Sequence, residues 1–212
     1  ILSELNSLIK RVDENYADYE PTRAARDIQL FVNDFLSNWY VRLCRRRFWK
    51  GEYTEDKISA YQTLYTCLEK IAIISAPIAP FYMDQLFNDL NRVSKKIKSD
   101  SVHLVDFPKH NESLIDNLLE ERMQLAQQIS SMTLSLRKKS NIRVRQPLSK
   151  IIIPTQDKQL ISQIEKVAEL IKAELNIKEI EFLTESQGFL VKKIKANFKL
   201  LGPRYGKIMK EV

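Results

Sequence analysis

Ile28-Gln29-Leu30-Phe31-Val32-Asn33-Asp34-Phe35-Leu36-Ser37-Asn38-Trp39-Tyr40-Val41-Arg42-Leu43 is the stretch from which the architecture is read. Ile28, Phe31, Val32, Phe35, Leu36, Trp39 and Leu43 recur at i, i+3, i+4 and i+7, which gathers side chains along one side of an α-helix and predicts one buried stripe. Pro21 opens this helix, because the N–H that proline lacks has no partner in a first turn, and Glu20 adds favourable negative charge there. Gly51 is its natural stop.

The same periodicity extends in both directions. Leu2, Leu5, Leu8, Ile9 and Val12 predict an amphipathic helix over 2–17. Beyond the glycine, Thr54 is placed to cap a third helix whose apolar face is Ile58, Tyr61, Leu64, Tyr65, Leu68 and Ile71 and which ends at Pro77 and Pro80. A fourth helix over about 81–93 carries Met83, Leu86, Phe87 and Leu90, and an extended strap over 102–108 follows. A fifth helix, about 113–139, has apolar residues on nearly two faces, as needed to pack on two bodies. The pattern then changes to a strand (148–153), a helix (160–175), a strand (177–183), a turn at Gly188 and a strand (189–194). The prediction is a mainly α chain: a helical bundle over 1–108, then over 109–212 a long connecting helix and a small α/β unit of about three strands.

Composition agrees with this. Of the 212 residues 44% are hydrophobic and 29% charged, too apolar for a disordered chain, and with only 4 Gly and 7 Pro long helices meet few obstacles. The longest apolar run, Ile71 to Met83, is broken by Ser75, Pro77 and Pro80 and falls short of the roughly 18 residues of a membrane span. The chain starts at Ile1 without a cleavable leader, so an excised piece of a cytoplasmic protein, with no membrane partner, is the expectation.

Catalytic chemistry finds little material. Cys44 and Cys67 lie inside helical patterns without Cys-x-x-Cys spacing, which predicts buried thiols and no metal site. His103 and His110 accompany no nucleophile elbow or zinc-binding helix, so no catalytic residue is assigned.

The net charge of +7 points to an anionic partner. Three stretches, 39–50, 137–150 and 192–210, contain no Asp or Glu and hold more than half of the 34 Lys and Arg. In the first, Arg42, Arg45 and Trp49 share helical spacing and are joined by Arg46, Arg47 and Lys50. Arginine beside an exposed aromatic suits single-stranded RNA, because phosphates need positive charge and unstacked bases need planar faces, worth about 1–3 kcal/mol each. A helix end whose cations merely complement the dipole is the plain alternative. The second stretch adds Arg137 and, beyond the long helix, Arg143 and Arg145 on irregular backbone, where binding residues concentrate. In the third, Gly202-Pro203-Arg204-Tyr205-Gly206-Lys207 reads as a turn before a helix, although its glycines also permit a close approach to phosphate.

Three segments carry a resemblance. LSNWYVRLCRRRFW (Leu36–Trp49) resembles the signature helix of the anticodon-binding domain in the isoleucyl-tRNA synthetase family, and RVRQPLSKIIIP (Arg143–Pro154) and KANFKLLGPRYGK (Lys195–Lys207) agree in order and spacing. Cys44 stands where the family usually has Asn. The resemblance implies a class I synthetase bundle that receives the anticodon stem-loop of isoleucine tRNA, followed by a junction domain, acting within a monomer. It also implies an upstream catalytic domain that joins isoleucine to tRNA with ATP, so that these residues need no cofactor and do not catalyse alone. Arg42, Arg45, Arg46, Arg47, Trp49, Lys50, Arg143 and Arg145 are the expected RNA contacts. Related modules of valyl, leucyl or methionyl synthetases, or a basic scaffold for acidic proteins, are the alternatives.

Overall fold

Local chemistry sets most helix boundaries in the computed structural model, which describes residues 1–49 and 51–183. Helix α1 (Leu2–Ala17) turns into α2 (Pro21–Leu30), which runs on into a π-helical segment (Phe31–Val41) and then α3 (Arg45–Trp49). After the turn at Gly51, whose φ of +77° disfavours any side chain, α4 (Glu55–Ser75) begins where Thr54 Oγ1 accepts the Lys57 N–H at 3.3 Å. Helix α5 (Pro80–Ser94) follows with proline in its first turn. Lys50, the predicted strand over 189–194 and the basic stretch 192–210 lie outside the described residues.

Two segments differ from the expected boundaries. The long helix, α6, spans Asn117–Lys139 rather than starting near 113, because Asp116 Oδ1 caps the Leu119 N–H at 3.0 Å while Asn111 caps a separate 3-10 turn over Glu112–Leu114. The helix expected over 160–175 is two, α7 (Lys158–Glu165) and α8 (Ala168–Leu175). At the joint Val167 is buried and its N–H reaches the Ile164 carbonyl at 3.0 Å, a tighter turn that keeps this side chain in the core. With no Gly or Pro there, composition gave no warning of the break. The strap over 102–108 also contains a 3-10 turn, Val102–Leu104, tied down by Asp84, which accepts the Ser101 hydroxyl at 2.7 Å and the Val102 N–H at 2.8 Å.

The stripe read as one buried face serves two cores. Ile28, Phe31 and Leu36 pack with Leu5, Leu8, Ile9 and Val12 of α1 and Cys67, Ile71 and Ile74 of α4. Trp39 and, partly buried, Leu43 instead join Ala126 and Ile129 of α6 and Ile164, Ile171 and Leu175 of α7 and α8. A π turn closes its hydrogen bonds over one residue more than an α turn, so each residue advances the face through a smaller angle, the apolar stripe drifts around the segment, and its last apolar residues pass to the second body. A third cluster, Ala72, Ile73, Ala76, Phe87 and Val102, seals α4 against α5.

Strands β1 (Leu148–Pro154) and β2 (Ile177–Leu183) are parallel, from Leu148 opposite Ile177 to Pro154 opposite Leu183, and α7 and α8 form the crossover that parallel pairing requires. The fold is therefore mainly α with a small α/β unit. No described helix is long and apolar enough to cross a membrane.

Both cysteines are free and buried, as their positions in the helical patterns implied. Burial pushes the Cys67 thiol up to about 12, so almost no thiolate exists at pH 8. Cys67 should resist a thiol reagent in the native protein and react once denaturant is added; rapid native labelling at this site, read by mass spectrometry, would contradict its burial.

Candidate nucleic-acid interface

The end of the π segment and α3 form a tip supported from beneath by aromatic rings. Phe48 lies 5.0 Å from Tyr61 and 6.4 Å from Tyr40 between ring centroids, while the Tyr61 hydroxyl donates to the Phe48 carbonyl at 3.1 Å and the Tyr40 hydroxyl to the Ala60 carbonyl at 3.1 Å. Burial pushes the Tyr40 phenol up to about 12, which keeps it a donor throughout the physiological range. On this support Trp49 is 80% exposed, and Arg45 and Arg46 stand in solvent with no ion pair among the described residues.

The other two arginines of the first basic stretch are engaged. The Arg47 fork binds both oxygens of Asp56, at 2.8 and 2.7 Å, and donates to the Asp56 carbonyl at 2.9 Å, so it ties α3 to the start of α4. Hydrogen bonding to Asp56 also holds its pKa above the ordinary arginine value. Arg42 reaches away from the tip and pairs with Glu174 of α8. Its side chain is half exposed, whereas that of Glu174 is buried; burial raises the Glu174 pKa and the Arg42 charge opposes the rise.

This pair leads directly to the second basic stretch. Two residues beyond Glu174, Asn176 adopts the left-handed conformation at the end of α8 and its amide donates to the carbonyls of Val144 and Arg145, both at 3.1 Å. Arg137 completes the fastening: its guanidinium donates to the carbonyls of Arg143 and Gln146 at 3.0 Å and of Leu175 at 2.8 Å. The carbonyls all point inward, which leaves Arg143 and Arg145 exposed, and neither has an ion pair among the described residues. Arg42 is thus tied to α8, and the loop that carries Arg143 and Arg145 is tied to the end of the same helix.

Two readings of the charge change as a result. Arg137, counted with the surface charge of its stretch, is only 3% exposed and belongs to the interior. Its spacing from Ala126 and Ser130, four residues apart and then seven, puts all three on one side of α6 and is the signal that marks it. Arg42 and Arg47 are charge-compensated rather than free. Tyr53, 78% exposed beside the tip with the Lys57 ammonium 4.7 Å from its ring centroid, is absent from the expected contacts; its i, i+4 relation to Lys57 across the Thr54 cap is its trace in the sequence.

Comparison with known proteins agrees with this arrangement. The family described as the anticodon-binding domain of tRNA ligase matches residues 1–153. Isoleucine–tRNA ligase of Cytophaga hutchinsonii is 60% identical over all 212 residues, that of Bacteroides thetaiotaomicron 57% over all 212, and that of Clostridium novyi 42% over 207 residues, 98% of the chain. The chain spans about a fifth of the length of these relatives, 19%, 18% and 19% respectively. With a family match over most of its length and a basic, aromatic-tipped surface across two packed bodies, the chain belongs to the anticodon-binding domains of tRNA ligases.

Proposed function

We propose that this chain binds the anticodon stem-loop of isoleucine-accepting tRNA, within a monomeric cytoplasmic isoleucine–tRNA ligase. The joining of isoleucine to tRNA with ATP belongs to parts of that protein outside these residues. The observation that carries the proposal is the distribution of uncompensated arginine. Arg45 and Arg46 on the tip and Arg143 and Arg145 on the fastened loop are exposed, and Arg42 links the bundle to the helix that fastens this loop. Phosphates on a hairpin meet these groups, while Trp49 and Tyr53 offer planar faces to unstacked bases. Arg47 contributes by holding the tip, and Lys50 continues the same basic run.

Binding is measured by fluorescence anisotropy at low salt with a labelled hairpin of the length of a tRNA anticodon arm. The isoleucine hairpin should bind more tightly than one differing only in a valine anticodon. Equal affinity for the two would remove the isoleucine assignment, and no binding of either at low salt would remove the RNA assignment.

A further inference from the structure

Between the π segment and α6 lies an open groove of about 610 Å³ whose lining includes Asn38, Trp39, Arg42, Gln124, Gln128 and Glu174. Its size falls in the usual range for a small-ligand site. Most of these side chains end in amides or N–H donors. Ser130 also contributes to the wall, and its hydroxyl, the Trp39 indole N–H and Glu174 Oε1 are buried without a hydrogen-bond partner among the described residues. Among the described residues that line the groove, Arg42 is the one cation; it is ion-paired with Glu174, and Asp34 adds a second carboxylate to the wall.

That pairing determines what Arg42 can recognise. A guanidinium has five N–H donors in a rigid plane, and a single carboxylate leaves part of that set free. A phosphate approaching the remaining donors meets the Glu174 charge as well, so the attraction is largely cancelled. If Arg42 instead swung out to a phosphate, Glu174 would stay buried without its counter-charge, an expensive outcome for a side chain only 10% exposed. A neutral partner with two adjacent acceptors suffers neither penalty. The edge of a nucleobase is such a partner, and Asn and Gln amides are the side chains that match the donors and acceptors of the same edges.

We propose that Glu174 is a specificity-determining positioning residue of the RNA interface: by holding and neutralising Arg42 at the mouth of this groove, it makes that arginine a reader of one extruded nucleobase instead of a phosphate clamp. This rests on the tRNA-binding reading above and adds a division of labour. Arg45, Arg46, Arg143 and Arg145 provide salt-sensitive affinity, whereas the Arg42–Glu174 pair provides discrimination.

The test uses the full-length protein and two tRNAs, the isoleucine tRNA and one with a changed anticodon, with affinities measured across a salt series. Glu174→Gln should release Arg42 to phosphate. Discrimination between the two tRNAs should then fall by roughly 5- to 150-fold, the value of one bidentate base contact, while the slope of log affinity against log salt steepens by about 0.7–0.9. Arg42→Lys keeps the charge and loses the fork, so discrimination should fall with the slope unchanged. Glu169→Gln, which removes a more exposed carboxylate from the same helix, should change neither discrimination nor slope. The inference is overturned if folded Glu174→Gln or Arg42→Lys retains wild-type discrimination, if both tRNAs lose affinity equally, or if Glu169→Gln reproduces the steeper slope. A wild-type protein that fails to bind or to distinguish the tRNAs sinks the underlying reading instead. Should Glu174→Gln fail to fold, Arg42→Lys decides the matter, since its side chain is half exposed.

Discussion

Arg137→Met is expected to lower the melting temperature by about 10 °C, with the companion change Lys138→Met shifting it by no more than about 1 °C. Arg137 is buried and donates to the carbonyls of Arg143, Gln146 and Leu175, while its Nε finds no partner among the described residues. Methionine fills a similar volume but leaves these carbonyls to find other donors. Each buried one costs about 1–3 kcal/mol unless water reaches it, and those on the 143–146 loop can turn outward. A net loss of about 3 kcal/mol, at roughly 2–4 °C per kcal/mol for a chain of this size, gives the expected shift. The loop should loosen at the same time, so tRNA affinity should fall although no RNA-facing side chain has changed. A calorimetric scan within about 2 °C of wild type would show that the carbonyls do not depend on this guanidinium.

The second large effect concerns the exposed arginines. Replacing Arg45, Arg46, Arg143 and Arg145 together by Ala removes four cations with no ion pair among the described residues, so stability should change little. Each phosphate contact contributes roughly 0.7–0.9 to the salt slope through counterion release, so the slope should become shallower by about 3. Affinity near 50 mM salt should drop by two orders of magnitude or more, and the gap to wild type should narrow as salt rises. Adding Arg47→Ala should have a different signature: Arg47 is bound to Asp56, so its loss loosens the α3–α4 junction and removes little free charge. A slope within one of wild type for the fourfold variant would mean that the RNA lies elsewhere.

Much of the bundle was legible because helices are encoded at short range. The Thr54 cap and the apolar spacing of α1 and α4 each concern residues within a few positions of one another, whereas Pro80, read as a stop for the preceding helix, opens α5. The strand–helix–strand order was legible in the same way, and the structure pairs the two strands in parallel. The site was less legible. Arg42, Arg45, Arg46 and Arg47 look equivalent in sequence, yet the first pairs with Glu174, the last with Asp56, and only the middle two remain open. Trp39, read as core, is core, but of the second body rather than the first, because the π segment rotates it there.

Helix positions, turn chemistry, the clustering of basic residues and the family itself were written in the linear order of side chains, since each depends on neighbours close along the chain. Which arginines remain charged toward solvent, and that Arg137 is an internal fastener, depended on carboxylates and carbonyls supplied by distant segments. An isolated charge is set by its residue type, but its electrostatic effect is set by whatever the folded chain brings within a few ångströms of it.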